Sequence, residues 1–215
     1  MNRVSFIVDG FNLYHSVRDA EKKDRKPTKW LNVSELCKSY LHLIGQGVNE
    51  KVELNLIYYF SALATHIEKQ DPNVTKRHKA LLACLKDTGV IVELSRFKRK
   101  SVKCSLCQRV FTKYEEKETD VSLAIKLLEI FFLDECDTVV LMTGDTDVAP
   151  AVRTAKRLFP QKHIFFAFPY KRKNKELDQI ASGSFNIKSP QYGKYQFSDP
   201  YRLTDGTLIH KPSSW

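Results

Sequence analysis

Short, almost wholly apolar runs recur along the chain, and they constrain its fold more than any other feature. They read VSFIV at 4–8, TVVLM at 138–142 and HIFFAF at 163–168. Runs of this length without polar alternation are typical of strands that are buried on both faces of a sheet. Stretches with helical spacing of apolar residues separate them. The alternation predicts a three-layer α/β domain with a mostly parallel sheet, helices on both faces and right-handed crossovers.

Local patterns predict the remaining elements. Two further strands are expected at 52–62 and 90–94, and a basic loop follows the second of them as far as Asp120. Helices are predicted through Leu13 and Val17, over 33–44 with an end at the Gly-Gln-Gly of 45–47, over 75–88, over 120–132, and through Val152 and Leu158. Because the composition changes near residue 188, we expect one domain over 1–187 and a docked or loose tail over 188–215.

The charge balance of the chain favours polyanionic partners. Its 215 residues include 35 Lys and Arg against 25 Asp and Glu, which gives a net charge of +10. Such an excess favours RNA or DNA as a partner, and the alternative is a basic surface that only water covers. No apolar run is long enough to cross a bilayer, and the first residues run directly into a predicted strand. We therefore expect a cytoplasmic protein with no membrane partner.

Acidic residues follow two of the predicted buried strands directly. Asp9 comes after the first strand, and Asp145 and Asp147 come after TVVLM, while Asp120 lies in the first turn of the helix before that strand. Open α/β sheets bind ligands at the carboxyl ends of their strands, so these carboxylates converge if the two strands are neighbours. Each also has a structural alternative: Asp9 and Asp147 as helix caps, Asp145 in an Asx-turn, and Asp120 as a partner of a helix N-terminus.

Four ionised carboxylates that lie together repel one another, and this restricts their chemistry. The repulsion is relieved by protonation or by a hard cation with oxygen ligands, here Mg²⁺ or Mn²⁺. Such an ion can align water for attack on a phosphodiester and stabilise the charge that develops on the phosphoryl oxygens. On a basic protein, this set of acids predicts phosphodiester hydrolysis.

Three segments resemble motifs of one known family. VDGFNLYH at 8–15, EEKETDVSLA at 115–124 and TGDTDVAPAV at 143–152 are similar, in this order, to the D-x-x-N, K-x-x-D-V and [ST]-G-D-x-D motifs of NYN domains, specifically the LabA-like group of the PIN-like nuclease superfamily. The resemblance spans Arg3 to Ile187.

The resemblance implies a PIN-like, Rossmann-like fold and a metal-dependent endoribonuclease. It implies that Asp9, Asp120, Asp145 and Asp147 are catalytic and bind the metal. It also implies that Asn12 is a polar catalytic residue that contacts substrate, and that Thr143 orients the loop at the substrate. Two alternatives remain open: a nucleic-acid-binding or regulatory module with a vestigial metal site, and another Mg²⁺-dependent phosphohydrolase.

The basic loop is a candidate surface for RNA. Lys98 and Arg99 are candidate phosphate ligands, and Lys117, three residues before Asp120, would either contact a substrate phosphate or neutralise the acids. Further cations and aromatic side chains that could stack on unpaired bases surround them: Lys100, Lys103, Arg109, Lys113, Phe97, Phe111 and Tyr114. This combination favours single-stranded RNA, and the alternative is a solvated mobile loop.

Cys104 and Cys107 in the same loop have the spacing of half a structural zinc site. Cys37, Cys84, a nearby histidine or a second subunit would have to complete the four ligands, so a homo-oligomer is compatible with the sequence. The alternative is a pair of free or redox-labile thiols.

Overall fold

A seven-stranded sheet forms the centre of the protein in the computed structural model, which describes residues 1–215. The strands are β1 Asn2–Asp9, β2 Val52–Ala62, β3 Ile91–Lys103, β4 Val110–Lys117, β5 Thr138–Met142, β6 His163–Phe168 and β7 Gly183–Asn186. Their order is β4-β3-β2-β1-β5-β6-β7, and every neighbouring pair is parallel except β3 with β4. The predicted mostly parallel sheet is confirmed.

Helices cover both faces of this sheet. They are α1 Gly10–Asp24, α2 Val33–Lys38, α3 Leu41–Val48, α4 Val74–Asp87, α5 Thr119–Phe132, α6 Ala149–Leu158, α7 Lys175–Ile180 and α8 Ser189–Lys194. Alternate residues of β1 point to opposite layers: Phe6 and Val8 pack in one core with α1 to α4, whereas Ile7 packs in a second core with α5 to α7. The predicted three-layer α/β architecture is therefore confirmed.

The predicted helix over 33–44 is wrong in its length and its end. It breaks after Lys38, where the Ser39 hydroxyl donates a hydrogen bond to the Leu36 carbonyl and the Tyr40 N–H donates to the Cys37 carbonyl. The Gly-Gln-Gly segment does not end a helix but lies inside α3. A side chain at Gly47 would come within 2.7 Å of the Phe165 ring, so the glycine permits this helix to pack closely on β6.

The predicted basic loop is also wrong, because a hairpin stands in its place. Strand β3 extends to Lys103 and pairs with β4 from Arg96 opposite Lys117 to Lys103 opposite Val110. Only residues 91–95 of β3 pair with β2, so the outer part of the hairpin is a two-stranded ribbon. Both faces of that part are exposed to water, and it therefore lacks the apolar alternation by which a strand is recognised in sequence.

The segment 188–215 docks on the domain. Helix α8 places Tyr192 in the first core, and Phe197 packs there against Trp30 with 5.8 Å between the ring centroids. A small antiparallel pair, β8 Tyr201–Arg202 with β9 Leu208–Ile209, follows. None of the helices combines the length and hydropathy that a membrane crossing needs.

Candidate active site

Asp9 stands at the carboxyl end of the central strand, where two hydrogen bonds fix its side chain. One oxygen accepts the Asn12 N–H at 2.9 Å as the cap of α1, and the other accepts the Thr143 hydroxyl at 2.9 Å. The residue is only 5% exposed. Burial raises the pKa of Asp9, the charge of Asp145 raises it further, and the two hydrogen bonds oppose the shift. The expected capping role and a place in the crevice are thus combined in one residue.

A short polar network joins the end of β1 to the end of β5. The Thr143 hydroxyl, which donates to Asp9, also accepts the Asp145 N–H at 3.1 Å. The Asn12 side-chain oxygen accepts the Gly144 N–H at 3.1 Å. A side chain at position 144 would come within 2.0 Å of the Arg172 carbonyl oxygen, so this loop requires glycine. Thr143 and Asn12 therefore hold the loop that carries Asp145 beside Asp9.

Asp145 and Asp147 lie at different depths of the crevice. Asp145 is half-buried, and its carboxylate accepts the Asp147 N–H at 3.1 Å, which is the expected Asx-turn. Asp147 is exposed at the start of the turn that leads into α6. Because β1 and β5 are neighbours in the sheet, Asp9 and Asp145 lie at the same edge.

Asp120 reaches these acids from the first turn of α5. Burial raises the pKa of Asp120 to about 6, and the charges of Asp145, Asp9, Glu116 and Asp147 contribute in that order. The charges that act most strongly on Asp120 are all negative, and none of the four predicted acids forms a salt bridge. The structure thus brings the acids near enough to destabilise one another's ionised forms.

The carboxylate oxygens of these acids are the ligands that a hard cation prefers, although the side chains are too far apart to surround one in this arrangement. No three acidic, histidine or cysteine side chains are close enough together to hold a metal ion as they stand. Yet a group of carboxylates with no positive partner, one of them with a pKa near 6, is the kind of site that Mg²⁺ or Mn²⁺ neutralises.

Glu116 belongs to the same acidic group, and sequence reasoning missed it. Its carboxylate accepts the Thr119 N–H at 3.2 Å, so it anchors the start of α5, and its charge contributes to the raised pKa of Asp120. The signal was present in the EEKETD segment, where Glu116 lies four residues before Asp120. Its relevance depends on β4, which the sequence did not reveal.

The two faces of the hairpin differ in their neighbours. Residues opposite each other on β3 and β4 share a face, and successive residues alternate between faces. Arg99 therefore lies on the face of Phe97, Tyr114 and Glu116. We call this the inner face, because Glu116 reaches the acidic group.

Lys98 and Lys117 lie on the opposite, outer face of the hairpin. Lys98 is 3.7 Å from Glu118, and Lys117 is 3.0 Å from Glu115. The Lys117 ammonium thus pairs with a carboxylate outside the predicted acids. Of the three cations predicted to bind substrate, only Arg99 shares a face with Glu116.

An aromatic cluster fixes the base of the hairpin next to Asp9. The Phe97 ring lies 5.7 Å from Phe11 and 4.3 Å from His66, and Tyr114 stacks on His66 at 4.5 Å between ring centroids. Burial lowers the pKa of His66. Sequence reasoning named Phe97 and Tyr114 as stacking residues but missed Phe11 and His66. Phe11 could have been found by its place two residues after Asp9, whereas nothing near His66 in sequence indicates its role.

A cavity of about 330 Å³ adjoins the acidic crevice through Gly10 and Phe11. Thirteen of its nineteen lining residues are hydrophobic, and aromatic side chains are prominent among them: Tyr14, Tyr59 and Trp215. His78 lies 3.4 Å from the Ser61 hydroxyl in its wall. Its size falls within the range of about 300–1,000 Å³ that is typical of small-ligand pockets.

The fold and the acidic residues together define the class of this protein. It is an α/β protein with an acidic crevice at the carboxyl edge of a parallel sheet. The family model described as "NYN domain" matches residues 3–187, and the chain belongs to the NYN domain family, within the PIN-like nuclease superfamily. The resemblance found in the sequence is confirmed.

The structural comparison supports the fold. A protein of unknown function from Vibrio parahaemolyticus has a similar structure, with a TM-score of 0.54 and 18% sequence identity over 87% of this chain and 93% of that one. A comparison with curated proteins found no match.

Proposed function

We propose that this chain is a divalent-metal-dependent endoribonuclease that hydrolyses single-stranded RNA in the crevice at Asp9, Asp120 and Asp145. The observation that carries the proposal is that Asp9 and Asp145 lie at the same edge of the sheet, joined through Thr143, with Asp120 beside them and no positive side chain paired with any of the three. Such uncompensated charge costs stability and is typical of functional sites. Membership of a nuclease superfamily supports the same reaction.

The proposed roles follow from depth and orientation. Asp9, Asp120 and Asp145 would hold Mg²⁺ or Mn²⁺, with Asp147 at the exposed edge of the site. When bound, the ion supplies charge stabilisation at the phosphoryl group and an activated water. Thr143 and Asn12 position Asp9 and the Asp145 loop through the hydrogen bonds described above.

Single-stranded RNA fits the surroundings of the crevice. The cavity beside Gly10 and Phe11 offers aromatic and apolar walls to an unpaired base, and Arg99 on the inner face of the hairpin offers a cation to the backbone. A base that is paired in a duplex cannot enter such a cavity. This arrangement therefore supports an unpaired substrate.

The test is cleavage of a labelled single-stranded RNA with Mg²⁺ or Mn²⁺, with and without EDTA, by wild type and Asp120→Asn. We expect cleavage by wild type only with metal, and a loss of at least about a hundredfold in Asp120→Asn, which corresponds to roughly 3 kcal/mol of transition-state stabilisation. Thermal stability should stay the same or rise, because repulsion is relieved. Glu129→Gln, the same change of charge on the same helix but paired with Lys126 at the surface, is the matched control and should remain active.

Three outcomes would overturn the proposal. One is tight RNA binding by wild type without cleavage in either metal, which would favour the nucleic-acid-binding module. Another is full activity in Asp120→Asn, which would show that the acidic group is structural. Cleavage of free nucleotides but not of RNA would favour a different phosphohydrolase.

A further inference from the structure

The turn at the tip of the hairpin places two cysteines in a compact loop. The Cys104 N–H donates to the Arg109 carbonyl at 2.9 Å, and the Gln108 N–H donates to the Cys104 carbonyl at 3.0 Å. Gln108, directly after the second cysteine, has a left-handed backbone with φ of 59°. Both thiols therefore lie in one short loop at the end of the hairpin, where Cys107 is exposed and Cys104 is partly exposed.

The chain offers this pair no further ligand. Cys37, Cys84 and Cys136 are buried within the body of the protein, in its two cores. No third cysteine, histidine or acidic side chain completes a group around Cys104 and Cys107. A structural zinc site needs four ligands, so one copy of the chain supplies half of them.

Apolar side chains surround the same tip and face water. Leu106 is 93% exposed and Val110 67%, and Phe111 is also exposed. No residue between 99 and 113 belongs to either core. At about 3.3 Å per residue, the ribbon from 96 to 103 spans roughly 26 Å, and a two-stranded ribbon alone is marginally stable in water. The tip therefore has apolar surface and a free end that a partner would cover.

We propose that Cys104 and Cys107 of two copies of this chain bind one zinc ion through four thiolates and join the two hairpins tip to tip. Four thiols release four protons as the ion binds, and the resulting centre carries a net charge of −2. Lys103 and Arg109 flank the thiols on each chain, so the cations that would repel two basic tips instead surround a negative centre. Leu106 of each copy would be buried between them. This inference is independent of the proposed nuclease activity.

The experiment measures zinc content and mass of the full chain, purified with reductant and zinc and then freed of excess metal. We expect one zinc ion for every two chains by elemental analysis, and twice the chain mass of 24.9 kDa by light scattering. Replacement of zinc by Co²⁺ should give the visible absorption of a tetrahedral four-thiolate site. The double variant Cys104→Ser, Cys107→Ser should lose zinc and become monomeric while it stays folded, because the tip lies outside both cores.

Two further variants separate metal binding from apolar contact. Ser105→Ala lies between the thiols without donating a ligand, and as the matched control it should keep zinc and the dimer. Leu106→Ser keeps both thiols, so it should keep four-thiolate zinc but dissociate at higher dilution than wild type does. Three results would overturn the proposal: zinc-free reduced protein, one zinc ion per monomeric chain, or a dimer that survives loss of both thiols.

Discussion

Acidic residues lie at both ends of the neighbouring strands β1 and β5, but the two ends differ in whether positive side chains neutralise those acids. At the amino end, Asp137 accepts hydrogen bonds from the Arg3 guanidinium at 3.0 Å and from Lys162 at 3.2 Å, and these cations hold its pKa well below the usual range. At the carboxyl end, Asp9 and Asp120 have no cation, and their pKa values are raised. The pKa of the acid is therefore lowered by cations at the amino end, whereas burial and neighbouring acids raise the pKa values at the carboxyl end.

The comparison shows which acids serve the fold. The chain has ten more positive than negative charges, and at the amino end two of its cations neutralise Asp137. Left without cations, the carboxyl end retains repulsion that costs stability, which is reasonable where a ligand supplies the missing charge. Acids at the amino end should therefore affect stability, and those at the carboxyl end should affect activity.

The largest effect that would separate the two ends is expected from Asp137→Asn. Loss of the carboxylate leaves Lys162, which is largely buried, and Arg3 without their partner, so the free energy of unfolding should fall by about 2 kcal/mol. Urea denaturation measures this. RNA cleavage per folded molecule should stay unchanged, in contrast to Asp120→Asn.

Asp134→Asn is the matched control at the amino end. Asp134 contacts the same Arg3 and Lys162 but is 72% exposed, so its loss should lower the free energy of unfolding far less than the loss of Asp137 does. Equal losses from the two variants would show that general charge balance, rather than the local pairing, stabilises this end. A loss of cleavage in Asp137→Asn would break the division between the ends.

A smaller effect, of opposite sign at the two ends, is expected from pH. Asp120 has a folded pKa near 6 against an ordinary value of 3.8, so the folded state binds its proton more tightly, and stability falls as pH rises from about 4 to 6. Asp137 has a lowered pKa, so its contribution is lost as pH falls below 3.8.

Urea denaturation in EDTA between about pH 2 and 7 tests this contrast, because the Asp137 effect changes only below pH 3.8 and the Asp120 effect only above it. Asp120→Asn should match wild type near pH 4 and become more stable by about 1 kcal/mol at pH 7, after allowance for the partial exposure of this carboxyl. Asp137→Asn should instead lose its difference from wild type as the pH falls. Parallel curves for wild type and Asp120→Asn would mean that neither burial nor the neighbouring acids raise the pKa of Asp120.

The parts of the molecule that the sequence revealed are those with a local signal. The buried strands at 138–142 and 163–168 were predicted to the residue, because an uninterrupted apolar run reports burial on both faces. Asp9 and Asp145 were placed at one edge for a related reason: each directly follows such a strand.

The parts that sequence missed depend on distant contacts. The outer hairpin has charged residues on both faces, so no period distinguishes it from a loop. Glu116 and His66 meet the site only because β4 and the turn after β2 come together there. The break at Ser39 depends on a hydroxyl hydrogen bond that apolar spacing does not report.

The smallest expected effect is the change in RNA affinity when a cation of the hairpin is removed. At the amino end, cations neutralise acids of the protein, whereas Arg99 on the inner face of the hairpin donates only to the Thr112 hydroxyl, at 3.3 Å. If Arg99 binds the RNA backbone, Arg99→Ala should weaken binding severalfold in EDTA and reduce the slope of log affinity against log salt by about 0.7, the value for one phosphate of a single strand.

Lys98→Ala is the matched control for that measurement, because it removes a neighbouring cation from the outer face, where Lys98 lies near Glu118. Its salt slope should stay close to that of wild type, since an outer-face cation cannot follow a strand that enters the crevice past Phe97 and Phe11. A larger change in Lys98→Ala than in Arg99→Ala would place the RNA on the outer face. In that case the cations of the hairpin would serve a surface separate from the acids, and the crevice would have to bind its substrate without them.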